Sequence, residues 1–230
     1  VMIDGSVLSQ NGTKGNVRYS VNLGMGTNDG AMKGSSRTTY EAGTKLMFQT
    51  RKLYITNNLQ FSLTNSADSP YGNFSTYTRA LPYYQERDDN GNYYRLLSIA
   101  NFAPSGMALG VLASQQSPVY EAKYLNSFSK AEVASVTNNF SMNWLILPEL
   151  RLKGSFSMSY DFSRDDAYVS PASFAYTNNN NNLSTNPDVL YRRGRYNINN
   201  STGITYNGNT VLSYTHSWGK FDWQGIIGAE

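Results

Sequence analysis

The sequence Leu150-Arg151-Leu152-Lys153-Gly154-Ser155-Phe156-Ser157-Met158-Ser159-Tyr160-Asp161-Phe162 alternates between two kinds of side chain. Its even-numbered positions carry Leu, Gly, Phe, Met or Tyr, and its odd-numbered positions carry Arg, Lys, Ser or Asp. A period of two residues predicts a β-strand with one apolar and one polar face. The strand is long enough to cross a bilayer, because a tilted transmembrane strand needs roughly 9–11 residues.

The composition is typical of a porin-like barrel whose strands face water on one side. Of the 230 residues only 15% are charged, whereas a water-soluble domain usually carries about 25%. Uncharged polar residues and 18 tyrosines take their place, and the mean hydropathy is -0.48. The net charge is +3 and the basic residues are scattered, so no nucleic-acid binding is predicted.

The same alternation predicts an all-β, antiparallel chain of about eight strands. The predicted strands are 3–7, 17–25, 40–48, 53–63, 132–146, 150–162, 195–216 and 221–227, with a bulge or kink at Asn207-Gly208-Asn209. Short turns are predicted at 11–15, 50–52, 148–149 and 217–219, and longer loops at 27–38, 64–130 and 163–194. Short turns on one side and long loops on the other are typical of an outer-membrane barrel, whose long loops are extracellular.

The loop 64–130 is predicted to be irregular, and its length without periodicity favours a functional role. The chain has no cysteine, which excludes disulfides and thiolate metal sites, and no run of 18 apolar residues that would predict a transmembrane helix. It begins at Val1 without a signal peptide and stops at Ala229-Glu230 rather than at an aromatic residue. We therefore expect it to be an internal piece of a longer, exported polypeptide.

Several short runs carry a family resemblance. They are Asn22-Leu23-Gly24 with Asp29-Gly30, Ser69-Pro70-Tyr71-Gly72, Leu81-Pro82-Tyr83-Tyr84, Asp88-Asp89-Asn90-Gly91-Asn92-Tyr93, Asn138-Asn139-Phe140 with Trp144, Leu150-Arg151-Leu152-Lys153-Gly154, and Gly228-Ala229-Glu230. Their order and spacing, over residues 17–230, resemble the barrel of the SusC/RagA family of TonB-linked outer-membrane transporters.

The resemblance implies that the whole of residues 1–230 belongs to a 22-stranded barrel in a bacterial outer membrane. The plug domain and the segment that contacts TonB would lie in the missing N-terminal part. It also implies the import of oligosaccharides, or sometimes peptides, delivered by a SusD-like surface lipoprotein that caps the extracellular loops. No cofactor is implied.

A group of tyrosines in the longest predicted loop is the candidate ligand-contact site. Flat aromatic rings can stack on sugar faces, and phenol hydroxyls can form hydrogen bonds. The alternative roles are packing within the loop or contact with the capping lipoprotein. The residues are Tyr77, Tyr83, Tyr84, Tyr93 and Tyr94.

Charged residues on the polar sides of the predicted strands would line or brace the lumen. The candidates are Glu41, Lys45, Arg151, Lys153 and Asp161, and a structural role is the commoner one for such residues. Asp88 to Asn92 resembles part of a calcium loop, but Ile99 stands where the closing Glu belongs. A turn through Asn90-Gly91 is the better interpretation, and the pair Asp165-Asp166 is interpreted in the same way.

No catalytic or metal-binding constellation is recognisable, so no enzyme is predicted. The single His216 and the aromatic residues Tyr19, Trp144, Trp218 and Trp223 suit the girdles at the membrane interfaces. Two alternatives to a transporter stay open: a small self-contained outer-membrane barrel serving as an adhesin or anchor, and a secreted carbohydrate-binding β-sandwich. We also expect that the isolated segment does not fold alone, because an open sheet leaves two unpaired edges.

Overall fold

The computed structural model describes residues 1–8, 15–78, 85–102, 108–176 and 187–230. Within these ranges the chain is mostly antiparallel β-structure with three short helices and one 3-10 turn at Phe174–Tyr176. The elements are β1 (Met2–Leu8), β2 (Asn16–Asp29), β3 (Ser36–Gln49), β4 (Leu53–Ala67), α1 (Phe74–Thr78), β5 (Leu96–Phe102), β6 (Ala108–Gln116), α2 (Pro118–Tyr124), β7 (Phe128–Leu145), β8 (Leu150–Val169), α3 (Pro187–Leu190), β9 (Arg195–Trp218) and β10 (Phe221–Ala229).

Eight of the described strands form one sheet in the order β1-β2-β3-β4-β7-β8-β9-β10, with every neighbouring pair antiparallel. The eight predicted strands are therefore confirmed. Most are longer than predicted: β2 continues to Asp29, and β8 continues to Val169. Polar residues at the strand ends pair through the backbone as well as apolar ones do, so apolar periodicity underestimates strand length.

Three local predictions are wrong. Residues 64–130 are not irregular, because β4 reaches Ala67 and the segment holds the β5–β6 hairpin and α2. Asp165 and Asp166 form no turn, because both lie in β8 and pair with β7 and β9. No bulge occurs at 207–209, since Gly208 pairs in register with Phe156.

The connections sort to the two ends of the sheet by length, as predicted. Three tight turns join β3 to β4, β7 to β8 and β9 to β10 at one end, and Gly219 has φ +65° in the last of them, a conformation that favours glycine. The connections 30–35, 68–127 and 170–194 lie at the other end. The first of these is shorter than predicted because pairing continues to Asp29 and Ser36. The predicted turn at 11–15 falls almost wholly outside the described residues.

The register aligns the apolar positions of all the strands on one face of the sheet, because directly paired residues point the same way. One row across the sheet is Leu23, Ala42, Phe61, Val136, Tyr160 and Ile204. A row on the opposite, polar face is Ser20, Lys45, Asn58, Asn139, Ser157 and Asn207. The sheet thus has one predominantly apolar face and one polar face.

The apolar face forms a band of limited height. On β7 it extends from Ala134 to Trp144, about eleven residues, or roughly 34 Å along the strand. Towards the loop end the same face becomes charged: Glu132 stands opposite Arg164, and Lys130 stands opposite Asp166. The band is therefore bounded by a charged row on the loop side.

The sheet has little core of its own. The chain exposes 16437 Å² of surface, whereas a compact protein of 25.6 kDa exposes about 10,400 Å². Among the hydrophobic residues that the structure describes, Leu97 alone forms the buried core. Residues of the apolar band are instead exposed, for example Leu23 by 56% and Phe156 by 47%. In the described part of the chain, no helix is long and apolar enough to span a membrane.

Candidate functional site

The two long connections are joined by a buried carboxylate. Glu121 on α2 is 9% exposed and accepts hydrogen bonds from the Phe174 backbone N–H at 2.6 Å and the Ser173 hydroxyl at 3.0 Å. Helix α2 is fixed at its start by Ser117, whose hydroxyl accepts from the Tyr120 backbone N–H. The segment before β7 therefore holds the segment after β8 in place.

Two further contacts reinforce this junction. Arg95 donates from its guanidinium to the Ala172 carbonyl, and the Ser170 backbone N–H donates to the Ser127 hydroxyl at 2.9 Å. Leu97, two residues after Arg95 along the chain, is buried. We call this assembly of residues 85–97, 117–127 and 170–176 the loop platform.

Substituting Glu121 by alanine is expected to release the 170–176 segment from the loop platform while leaving the sheet intact. The substitution removes the acceptor of buried donors, which costs about 1–3 kcal/mol per unsatisfied group. Amide hydrogen exchange of Ser173 and Phe174 should accelerate at least tenfold. The exposed Glu132, on β7, provides a matched control, and Glu132→Ala should leave these rates unchanged. Equal rates in the Glu121→Ala variant and the unmodified protein would contradict the assignment.

The turn predicted at Asn90-Gly91 is confirmed. Arg87 and Tyr93 form a bridge across it, and Gly91 has φ +84°. The Asp88 carboxylate accepts from the backbone N–H groups of Asn92 at 2.8 Å and Asn90 at 3.0 Å. These hydrogen bonds, that of Asn92 first, lower the pKa of the Asp88 carboxyl, which acts as a turn-stabilising group.

Two cations converge on Tyr93. The Arg87 guanidinium carbon lies 4.2 Å and the Lys123 ammonium 4.4 Å from the centroid of the Tyr93 ring. Both side chains also donate hydrogen bonds to the phenol oxygen, Lys123 at 3.4 Å. Burial raises the pKa of the Tyr93 phenol, but the hydrogen bonds and charges of the two cations bring it below its ordinary value. We call Arg87, Tyr93 and Lys123 the Tyr93 cluster.

The structure brings only part of the predicted tyrosine group together. Tyr93 and Tyr94 lie on the loop platform, with Tyr94 41% exposed and its N–H donating to the Glu86 carbonyl. Tyr77 lies on α1, while Tyr83 and Tyr84 fall outside the described residues. Sequence reasoning missed Arg87 and Lys123. The pairing of Arg87 with Tyr93 depends on a three-residue loop, 89–91, whereas a two-residue turn at Asn90-Gly91 would place Arg87 opposite Tyr94. No sequence signal brings α2 to the same ring.

The five predicted lumen residues share the polar face. Lys45 stands between Ser20 and Asn58 in the sheet, and Asp161 accepts from the Ser135 hydroxyl at 2.6 Å. The ion pairs among described side chains, Arg164–Asp166 and His216–Glu149, involve none of the five. The register places Glu41, Lys45, Arg151, Lys153 and Asp161 on this face.

Amide and hydroxyl groups fill the polar face between these charges. The Ser157 hydroxyl donates to the Asn139 side-chain oxygen at 2.7 Å, and the Ser155 hydroxyl donates to that of Asn209 at 2.9 Å. Such groups offer further donors and acceptors to a polar solute. The face is therefore a mostly uncharged hydrogen-bonding wall.

Aromatic residues cluster on the apolar face beside the tight turns. The Tyr214 ring lies 5.5 Å from Trp223, and the His216 ring lies 4.4 Å from Trp218, measured between centroids. The Nδ1 atom of His216 lies 3.4 Å from a Glu149 carboxylate oxygen in the β7–β8 turn. The three tryptophans and Tyr19 are all more than two fifths exposed. Their predicted place in a membrane girdle stays a prediction.

The described residues hold no group of three or more His, Asp or Glu side chains that could bind a metal ion. No family model matches the chain, and no curated protein matches it. The resemblance to the SusC/RagA family therefore rests on the sequence runs alone.

Proposed function

We propose that this chain forms part of a transmembrane β-barrel in a bacterial outer membrane and lines a path for oligosaccharides. One observation carries the proposal: the register brings the apolar positions of eight strands onto one uncovered face and the polar positions onto the other. A lipid-facing outside and a wet inside require this arrangement. A catalytic role has no comparable support.

The height of the apolar band supports the membrane interpretation. A strand stretch of roughly 34 Å, tilted by about 40° as in outer-membrane barrels, spans about 26 Å, close to the approximately 25 Å band of such barrels. The charged row beyond Ala134 then lies at the lipid headgroups on the loop side. The tight turns at the opposite end become periplasmic and the loop platform extracellular.

The secreted sandwich has less support. A sandwich buries the apolar face of one sheet against a second sheet about 10 Å away. Among the described strands, the second sheet has only β5 and β6, and they make no extensive contact with the apolar face. A face of this size, left uncovered, favours lipid as its environment.

The open edges of β1 and β10 favour a larger ring over a small barrel. Both edges lack a strand neighbour in the described sheet, and unpaired edges are unfavourable in lipid. Further strands would pair with them, as in the 22-stranded barrel that the SusC/RagA resemblance implies. A SusD-like lipoprotein over the loop platform and TonB on the periplasmic side would be its partners.

Adjacent residues on β8 provide the test. The chain has no cysteine, so Ser157→Cys and Met158→Cys each add one thiol to it, on opposite faces. Any cysteine elsewhere in the full-length protein is first replaced by serine. In the full-length protein reconstituted in liposomes, a fluorophore at 158 should be quenched by nitroxide-labelled lipid, whereas one at 157 should not.

Transport is measured with the same pair of variants in cells. A bulky, water-soluble thiol reagent should block uptake of labelled oligosaccharides through the Ser157→Cys variant and leave the Met158→Cys variant unaffected. Lipid quenching at neither position would exclude a membrane-spanning strand. Quenching at 158 without a block at 157 would keep the barrel but exclude a transport path along this wall.

A further inference from the structure

We propose that the Tyr93 cluster binds an anionic group, a carboxylate or a sulfate, of the oligosaccharide that this protein takes up. This inference rests on the proposed transport function and specifies its substrate class. It differs from the sequence-based expectation that the tyrosine rings stack on sugar faces, because the Tyr93 ring already contacts two cations.

The positive charge of the cluster has no carboxylate partner among the described ion pairs. The nearest acids along the chain form no ion pair with the cluster. Asp88 accepts the N–H groups of its turn, and Glu121 accepts the Phe174 N–H and the Ser173 hydroxyl. The exposed Glu86 and Asp89 take part in no described ion pair. None of these four carboxylates is therefore ion-paired with Arg87 or Lys123. The phenol of Tyr93 takes their place as the shared acceptor.

Two like charges held this close attract an anion. Because they lie 4.2 and 4.4 Å from the same centroid, Arg87 and Lys123 are no more than about 9 Å apart, close to the Debye length at physiological salt. Each uses one hydrogen bond on the phenol, while a guanidinium has five N–H donors and an ammonium three. The remaining donors suit the oxygens of a carboxylate or sulfate.

The cluster is also held in position before any ligand arrives. Lys123 follows Glu121 on α2, and Glu121 anchors that helix to the 170–176 segment. Arg87 lies on the hairpin that Asp88 stabilises. Donors on a preformed scaffold bind with a smaller loss of conformational freedom.

The experiment measures the Kd of the full-length protein in detergent for four probes: trigalacturonate, its methyl ester, a sulfated chondroitin disaccharide and hexaglutamate. We compare the unmodified protein with the double variant Arg87→Gln/Lys123→Gln. Tyr93→Phe tests the phenol without removing the ring. Lys33→Gln, which removes an exposed cation in the 30–35 connection, is the matched control.

The double variant should bind trigalacturonate or the sulfated disaccharide at least tenfold more weakly, with binding of the methyl ester unchanged and Lys33→Gln without effect. In 500 mM salt the unmodified protein should lose most of its preference for the acidic probe. Equal weakening for trigalacturonate and its ester would overturn the proposal, and so would unchanged binding or a preference for hexaglutamate. Binding of the methyl ester alone would overturn the anion proposal but keep the proposed transport of oligosaccharides. Binding of no saccharide would count against both the anion proposal and oligosaccharide transport. The lipid-quenching experiment would then decide separately whether the chain forms a membrane barrel.

Discussion

Substituting Phe156 by arginine is expected to destabilise the protein reconstituted in liposomes by about 2–4 kcal/mol, the effect of a cation at the midplane of a barrel's lipid face. Phe156 lies midway along the apolar part of β8, opposite Phe140 on β7 and Gly208 on β9, and is 47% exposed. A guanidinium there would have to leave water for lipid or distort the bilayer around it. Reversible unfolding by urea in liposomes measures the effect.

The matched control is the next residue along the strand. Ser157 lies on the polar face between Asn139 and Asn207, so an arginine there stays hydrated. We expect Ser157→Arg to change the free energy of unfolding by no more than about 0.5 kcal/mol, as for most surface substitutions. Equal losses for Phe156→Arg and Ser157→Arg would mean that the two faces share one environment, which contradicts a lipid-facing band.

The eight strands and the pairs joined by short turns could be predicted because two simple rules suffice for them. Alternation along each strand identifies its apolar face, and short turns require neighbouring strands to be antiparallel. Residues such as Phe156 and Ser157 could therefore be assigned to opposite faces before any coordinates. The extension of β8 through Asp165 and Asp166 could not, because backbone pairing beyond the apolar band leaves no periodic signal.

The loop platform was beyond sequence reasoning for a different reason. Its central contact joins Glu121 to Ser173 and Phe174 across more than fifty residues, and a single Glu on a short helix gives no sign of its partner. The contact between Lys123 and Tyr93 depends on the same docking. Only the local parts of the candidate site, such as the turn at Gly91, were predictable.

Two asparagines interrupt the apolar face, and their pairing leads to a second strong effect. Asn57 on β4 and Asn138 on β7 exchange two hydrogen bonds, at 2.9 Å from Asn57 Nδ2 to Asn138 Oδ1 and 3.2 Å in return. Asn57 stands opposite Phe140, and Asn138 stands opposite Leu59, so both amides lie in the band. The reciprocal pair satisfies a donor and an acceptor of each amide, as the proposed lipid environment of this face would require.

Substituting either asparagine alone by leucine should destabilise the protein by about 1–3 kcal/mol, because the remaining amide loses its partner in an apolar environment. The double variant Asn57→Leu/Asn138→Leu should be about as stable as the unmodified protein, since it leaves no unpaired polar group. Liposome unfolding of the four proteins gives the coupling energy directly.

The neighbouring pair Asn58 and Asn139 provides the control for this cycle. These two residues are also direct partners on β4 and β7, but they lie on the polar face, where water can replace a lost amide. The changes in the free energy of unfolding caused by leucine at position 58 and at position 139 should be nearly additive. If the Asn57–Asn138 cycle were additive as well, its amides would have access to water, and the band could not be embedded in lipid at that depth. A large coupling energy for Asn57 and Asn138, but not for Asn58 and Asn139, would instead show that lipid hydrocarbon contacts one face of β4 and β7 and not the other.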